Sequence, residues 1–312
     1  MPFPSRDDVI AAHQRILGQV IRTPLRPVEL AGTRIWLKCE CLQTGGAFKL
    51  RGATNRLLQL SEEERRRGVV AFSSGNHAQG VAIAARRLGI PAVILMPSDA
   101  PALKVEGTRK EGAEVIFYDR SAEDRVAIAK ALAAERGATL VPSFDDPHIV
   151  AGQGTVGLEI LEQMPQPPQR IVVPTGGGGL AAGIALACPD AAVVCVEPEG
   201  WDDMRRSLAR GEIVPVGPDA PPTLCDALQT PKVSPITFGI LKERVASAVS
   251  VSETQVKEAV RFAWNSLGLV VEPGGAVALA ALLSGVLRAE EGTVAVLSGG
   301  NIDPALHAEL VG

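Results

Sequence analysis

The chain has 312 residues, room for about two domains of ordinary size, and its 31 Lys+Arg against 35 Asp+Glu leave a net charge of −4. That balance offers no basic excess to nucleic acid or an anionic membrane, and 46% hydrophobic with 21% charged residues excludes a disordered chain. No apolar run approaches the roughly 20 residues of a membrane span, and aromatics are only 4%, so the core must be built from Ala, Val, Leu and Ile.

In chain order, the N-terminal MPFPSRDDVIAAHQRI lacks a basic-then-apolar export signal. Apolar runs rich in Val and Ile follow at VVAFSS (69–74), PAVILMP (91–97), AEVIFYD (113–119), RIVVPT (170–175), AAVVCVEP (191–198) and TVAVLSGG (293–300). Continuous apolar character predicts strands buried on both faces of a parallel sheet. Between the runs, 77–89, 124–137 and 253–268 carry helical spacing and end at Gly. Strand and helix in alternation predict βαβ crossovers and open twisted sheets. The Pro-rich stretch 214–235 reads as one long irregular segment. Five cysteines (Cys39, Cys41, Cys188, Cys195, Cys225) are odd in number and form no CxxC, so they read as reduced, buried thiols of a soluble cytoplasmic protein.

Four glycine-bearing motifs lie where strands run into helices, the place at which open α/β sheets bind ligands. In TGGAFKLRGA (44–53), Lys49 follows Phe48 directly ahead of a helical segment. A surface lysine is its ordinary meaning; held near apolar neighbours with a lowered pKa, it would be a Schiff-base nucleophile. SSGNHAQG (73–80) gathers Ser73, Ser74, Asn76 and His77 at a helix N-terminus, where free N–H groups suit a carboxylate or phosphate. A plain N-cap accounts for that motif equally, and His77 alone reads as a structural partner. PTGGGGLAAG (174–183) reads as a phosphate cradle at Gly176, Gly177, Gly178 and Gly179. Gly176-x-Gly178-x-x-Ala181 also fits a dinucleotide fingerprint, with Glu197 near the ribose position, so a nicotinamide-dependent oxidoreductase stays open on this segment. LSGGN (297–301) is the fourth, and EPGGA (272–276) adds a further glycine turn. Each turn alone is weak evidence; their joint order carries the information.

That order resembles the serine/threonine dehydratase and serine racemase family of fold-type-II pyridoxal-phosphate enzymes. The likeness runs from RTPL (22–25) to SGGNID (298–303) and rests on KCECLQTGGAFKLRGA, SSGNHAQG, AGQGT (151–155), GGGGL and SGGN. It implies an α/β fold like the tryptophan synthase beta chain, with two open twisted, mostly parallel sheets and helices on both faces. A large cofactor-binding domain would comprise 1–45 and 139–312, and a small domain, 46–138, would close over the substrate. Lys49 would carry pyridoxal 5′-phosphate as a Schiff base, the glycines at 176–179 would cradle its phosphate, Asn76 would bond the ring hydroxyl, Ser298 would face the pyridine nitrogen, and Phe48 would pack near the ring.

The implied activity is ammonia-lyase action on L-threonine and/or L-serine, giving 2-oxobutanoate or pyruvate and ammonia by β-elimination. Lys49 would be the base for the α-proton, and Ser73, Ser74, Asn76 and His77 would receive the substrate. Ser74 matches the second base of family racemases, so serine racemisation is the first alternative. Arg125 matches an arginine that contacts dicarboxylates, so 3-hydroxyaspartate dehydration is another. Glu197, Asp203 and the backbone carbonyl of Trp201 match a divalent-cation site suited to Mg²⁺, Ca²⁺ or Mn²⁺, which reassigns Glu197 away from a ribose. Two positions depart from the simplest pattern: Gly274 stands where the family commonly has Ser or Thr, and PSFDDP (142–147) looks more like dehydratases than racemases. An end at Gly312 leaves no room for a C-terminal regulatory domain, so isoleucine inhibition is not expected; a homodimer is the family expectation.

Overall fold

The computed structural model describes residues 3–73, 75–100, 102–120 and 122–312, without the side chain of Leu103. Its strands are β1 (Leu25–Leu30), β2 (Thr33–Cys39), β3 (Val69–Phe72), β4 (Ala92–Pro97), β5 (Glu114–Tyr118), β6 (Thr139–Leu140), β7 (Arg170–Pro174), β8 (Ala192–Pro198), β9 (Val245–Val251) and β10 (Thr293–Leu297). Six form one sheet in the order β1-β2-β10-β7-β8-β9, and four form a second in the order β5-β4-β3-β6. Strands β1 and β2 pair antiparallel; the other pairings of both sheets are parallel.

The apolar runs become strands because helices cover both faces of the larger sheet. Along β7, Ile171 and Val173 join one core layer with Ile184 and Val193, while the intervening Val172 joins the opposite layer with Val277 and Leu279. That is the period of two that a pleated strand imposes. The helices Asn76–Leu88, Arg125–Arg136 and Glu253–Leu267 stop at Gly89, Gly137 and Gly268, each with left-handed φ. Asp124 and Ser252 cap the N-termini of the latter two through their side-chain oxygens. The Pro-rich stretch 214–235 is irregular apart from the short 3₁₀ turn Asp226–Leu228 and the first residue of the helix that Pro235 opens. All five cysteines are buried and unpaired, and burial pushes the Cys39 thiol up to about 11 and Cys195 up to about 12. Among the described residues no helix is long and apolar enough to cross a membrane.

One consequence of the strand order positions the site. Strands β2, β10 and β7 are parallel neighbours, so their carboxyl ends share one edge. From that edge β2 runs on to Lys49, β10 to Ser298 and β7 to Gly176. Beneath it, the helix Pro147–Gln163 is clasped by two others at glycine crossings. A Cβ on Gly152 would stand 2.6 Å from Gly52 Cα, and one on Gly183 would stand 2.4 Å from Gly154 N. The AGQGT motif is thus a helix-packing surface.

Candidate active site

Lys49 opens the helix Lys49–Leu58, delivered there by a short irregular passage from β2. That passage is tied to the turn after β10: Phe48 N donates to Ser298 O at 3.2 Å, and Gly300 N to Gly46 O at 2.8 Å. The helix is anchored behind Lys49 by a buried charge cluster. Arg51 Nε pairs with Glu40 at 2.7 Å and its Nη1 with Glu159 at 2.7 Å, and Lys38 meets Glu159 at 2.5 Å. These are the charged positions of KCECLQTGGAFKLRGA; because each buried charge has a partner, removing one would strand another. Lys49 Nζ donates to Ser143 O at 3.2 Å and stands 5.1 Å from the Phe48 ring centroid. Burial lowers its pKa to about 8, with the carboxyl of Glu272 pulling weakly the other way.

Across from Lys49, Asn76 begins the helix Asn76–Leu88. Its Nδ2 donates to Glu272 Oε1 at 2.6 Å, and its Oδ1 accepts from Asn301 Nδ2 at 2.8 Å. Burial, reinforced by the nearby Asp226, raises Glu272 to about 8. His77 is buried, and its ring Nε2 bonds the carbonyl of Val141 at 2.9 Å, so that nitrogen carries the proton. Burial, with Lys49 nearby, lowers its pKa to about 3, which keeps the imidazole neutral. Ser73 Oγ accepts from Gly75 N at 3.1 Å. Ser74, read from the sequence as a second base, lies outside the described residues.

The glycines after β7 are held by close packing as well as by turn geometry. A Cβ on Gly177 would lie 2.3 Å from the Phe144 ring, and Gly178 has φ +84°. The helix Gly179–Ala187 that follows has no side-chain cap, so its first amides are left to another acceptor. The 3₁₀ turn Asp226–Leu228 packs over the neighbouring glycines. A Cβ on Gly176 would meet Leu228 Cα at 3.2 Å, and one on Gly274 would meet Leu228 Cγ at 3.2 Å and Ala227 Cβ at 3.3 Å. That roof leaves little room for a side chain at Gly274, where the family commonly has Ser or Thr. Ser298 is buried at the end of β10, its backbone N donating to Gly275 O at 3.3 Å.

Arg125 begins the helix Arg125–Arg136, with its guanidinium 5.8 Å from the ring centroid of Phe72. Phe72 is the last residue of β3, immediately before Ser73, and among the described residues Arg125 has no ion-pair partner. Glu197 and Asp203 sit apart from these groups, at the end of β8 and the start of the helix Asp203–Arg210. Glu197 is fully buried, its two oxygens accepting from Met204 N at 2.9 Å and Arg205 N at 2.8 Å. A carboxylate so enclosed cannot reach a ribose, so the dinucleotide reading loses its acid. Asp203 Oδ2 accepts from Val233 N at 2.8 Å, while its buried Oδ1 has no partner. Burial pushes Asp203 up to about 7; burial and facing Asp203 push Glu197 well above the carboxylate range. Trp201 occupies the same turn, its indole donating to Pro221 O at 2.8 Å. Among the described residues no cluster of three His, Cys, Asp or Glu side chains could hold a metal, so a cation here would rest on two carboxylates and backbone oxygen.

Sequence reasoning missed Glu272, Asn301 and Ser143, which touch Asn76 or Lys49; Glu272 and Asn301 lie inside the EPGGA and LSGGN motifs, and only long-range pairing reveals their part. Residues 16–299 match the family described as pyridoxal-phosphate dependent enzyme. The chain is 44% identical to the L-threo-3-hydroxyaspartate ammonia-lyase of a Pseudomonas species, over 100% of this chain and 99% of that one. It is 42% identical to the L-threonine ammonia-lyase of Thermotoga maritima, over 95% of this chain and 75% of that one. Among solved structures, maize serine racemase superimposes with a TM-score of 0.93 at 36% identity, covering 99% and 97% of the two chains.

Proposed function

Since the chain belongs to the fold-type-II pyridoxal-phosphate-dependent enzymes, we propose that it is an ammonia-lyase which dehydrates a β-hydroxy amino acid to a 2-oxo acid and ammonia, with a 3-hydroxyaspartate-type dicarboxylate preferred. The observation that carries the preference is Arg125. It is a cation without a carboxylate partner among the described residues, stacked on the last residue of β3 at the carboxyl edge where such sheets bind ligands. Its fork would take the side-chain carboxylate of the substrate.

The residues present fit the cofactor. Lys49 has a depressed pKa, and the amides of the uncapped helix Gly179–Ala187 follow glycines that cannot carry a side chain against Phe144. Lys49 would hold pyridoxal 5′-phosphate, Gly176–Gly179 its phosphate, Asn76 its ring hydroxyl and Ser298 its pyridine nitrogen, with Phe48 alongside. The cofactor, when bound, supplies the electron sink that makes the substrate α-hydrogen acidic. Lys49 Nζ takes that proton, and the N–H groups of Asn76 and His77, at the start of the helix Asn76–Leu88, hold the α-carboxylate. Neutral His77, its Nε2–H fixed on the Val141 carbonyl, is structural and transfers no proton to the substrate. Closure of residues 46–138 over 1–45 and 139–312 would exclude water. The reading includes Mg²⁺, or Ca²⁺ or Mn²⁺, at Glu197, Asp203 and the Trp201 carbonyl, supported by two buried acids of raised pKa and the unpaired Asp203 Oδ1.

The test is 2-oxo acid release from L-threo-3-hydroxyaspartate, L-threonine and L-serine by the cofactor-loaded enzyme. The dicarboxylate should turn over fastest, and Arg125→Ala should lower that rate by roughly ten- to a hundredfold, far more than it lowers the threonine rate. Equal losses on all three would return the preference to L-threonine and L-serine, the reading that the 42% identical L-threonine ammonia-lyase supports. Interconversion of L- and D-serine without 2-oxo acid would favour a racemase.

A further inference from the structure

The amide of Asn76 is held in one orientation by a chain of hydrogen bonds that starts at a backbone carbonyl. Gly45 O can only accept, and Asn301 Nδ2 donates to it at 2.7 Å, which fixes which end of the Asn301 amide faces inward. The same Nδ2 donates to Asn76 Oδ1 at 2.8 Å and approaches Gln79 Oε1 at 3.0 Å. Asn76 must therefore present its oxygen to Asn301, which leaves its Nδ2 facing Glu272 Oε1 at 2.6 Å. One of the two Nδ2 hydrogens is used there, and among the described residues the other has no acceptor. A flipped Asn76 would set two NH₂ groups against each other at Asn301. Glycine at position 46 is part of the arrangement, because a Cβ there would stand 2.2 Å from Asn301 Oδ1.

We propose that Asn301 and Glu272 are positioning residues that hold Asn76 as a hydrogen-bond donor toward the ring hydroxyl of the cofactor. The proposal rests on the assignment of Asn76 to that hydroxyl made above. None of the three side chains would move a proton; Asn301 and Glu272 act through Asn76 on the charge of the ring oxygen, which a donor favours in its ionised form. Both come from the larger sheet's loops, whereas Asn76 begins a helix that follows β3 of the smaller sheet, so the orientation is set across the cleft.

The experiment loads pyridoxal phosphate into the wild type and into Asn76→Ala, Asn301→Asp, Glu272→Ala and Glu272→Gln, and reads the ratio of the yellow to the near-ultraviolet absorption band together with cofactor dissociation. Asn301→Asp, which replaces the inward donor by an acceptor, and Glu272→Ala should each shift the ratio the same way as Asn76→Ala and weaken cofactor binding roughly tenfold. Glu272→Gln keeps an acceptor oxygen of the same reach and should restore the wild-type ratio. On an Asn76→Ala background neither change should add anything, because both act through that one amide. A Lys49-dependent yellow band whose ratio is unmoved by Asn301→Asp and Glu272→Ala, or effects that add in full to Asn76→Ala, would overturn the positioning role alone. A yellow band that survives Lys49→Ala would instead count against the proposed function. The Glu272 pair reads the same amide independently should Asn301→Asp fail to fold.

Discussion

Lys49 and His77 are both bases brought out of water, and burial depresses both. With a pKa of about 8, roughly one Lys49 amine in ten is neutral at pH 7, against fewer than about one in a thousand for an ordinary lysine. The rate at which cofactor-free protein takes up pyridoxal phosphate should therefore climb as pH rises toward 8 and level off above it, and should vanish in Lys49→Ala; a rate still climbing steeply between pH 9 and 10 would mean an unperturbed amine. His77 carries the opposite practical message. Its folded pKa of about 3 lies below the free value of 6.5, so the unfolded chain binds the extra proton as pH falls through that window, and stability is lost. Between pH 6.5 and pH 5 the loss is about 2 kcal/mol. His77→Gln, which keeps a donor for the Val141 carbonyl, should remove that part of the acid sensitivity in denaturant titrations compared with the wild type. His77 was legible in the sequence as a structural partner; that it is neutral was not, because burial is a property of the fold.

The helix Pro147–Gln163 links the lysine-bearing helix to the helix after the glycine turn through two crossings in which backbones touch. Gly183→Ala forces a methyl group into Gly154 and should cost about 1–3 kcal/mol, read as a lower thermal midpoint, while Ala at Gly107, 3.6 Å from the end of the Gln79 side chain, should cost far less. Strands β7, β8 and β10 were legible because they are apolar on both faces, and β3, β4 and β5 because apolar runs lie between helical spacings. Strands β1, β2, β6 and β9 were not singled out: β6 is only two residues long, β1 and β9 are sheet edges with half-exposed residues, and the mixed patterns match no single period. Lys49, Asn76, Ser298 and the glycine turn were legible as local motifs. At the helix Asp203–Arg210, chelation should lower the thermal midpoint by a few degrees, with added Mg²⁺ restoring it, because a cation would neutralise two buried carboxylates and occupy Asp203 Oδ1. Glu197→Gln should abolish that response; a midpoint indifferent to chelator and metal would remove the cation from the proposal.

At the scale of the molecule, the site is shared between two sheets. Ser143 meets Lys49, Asn76 meets Glu272 and Asn301, and Lys104 on the helix Ala102–Lys110 pairs with Asp226 in the turn that roofs Gly176 and Gly274. Such pairs tie the smaller sheet's helices to the larger sheet's loops, and exposed ion pairs of the Lys104–Asp226 kind weaken with salt. Asp226→Asn should therefore raise the KM for substrate more than it lowers kcat, if residues 46–138 close over the cleft. Equal kcat and KM at all ionic strengths would detach this pair from closure.

The central place of β10 in the larger sheet has a temporal meaning during synthesis. It is inserted between β2 and β7, yet it is the last of the described strands in chain order. Until it emerges, β2 and β7 face each other across an unfilled gap with their pairing edges bare, and the smaller sheet, complete by residue 140, has no finished partner to dock against. A nascent chain should therefore be unable to retain pyridoxal phosphate until β10 has been made. Ribosome-bound chains halted before β10 should stay colourless in pyridoxal phosphate and be unusually open to chaperones and proteases, whereas chains released at full length should turn yellow in a single step.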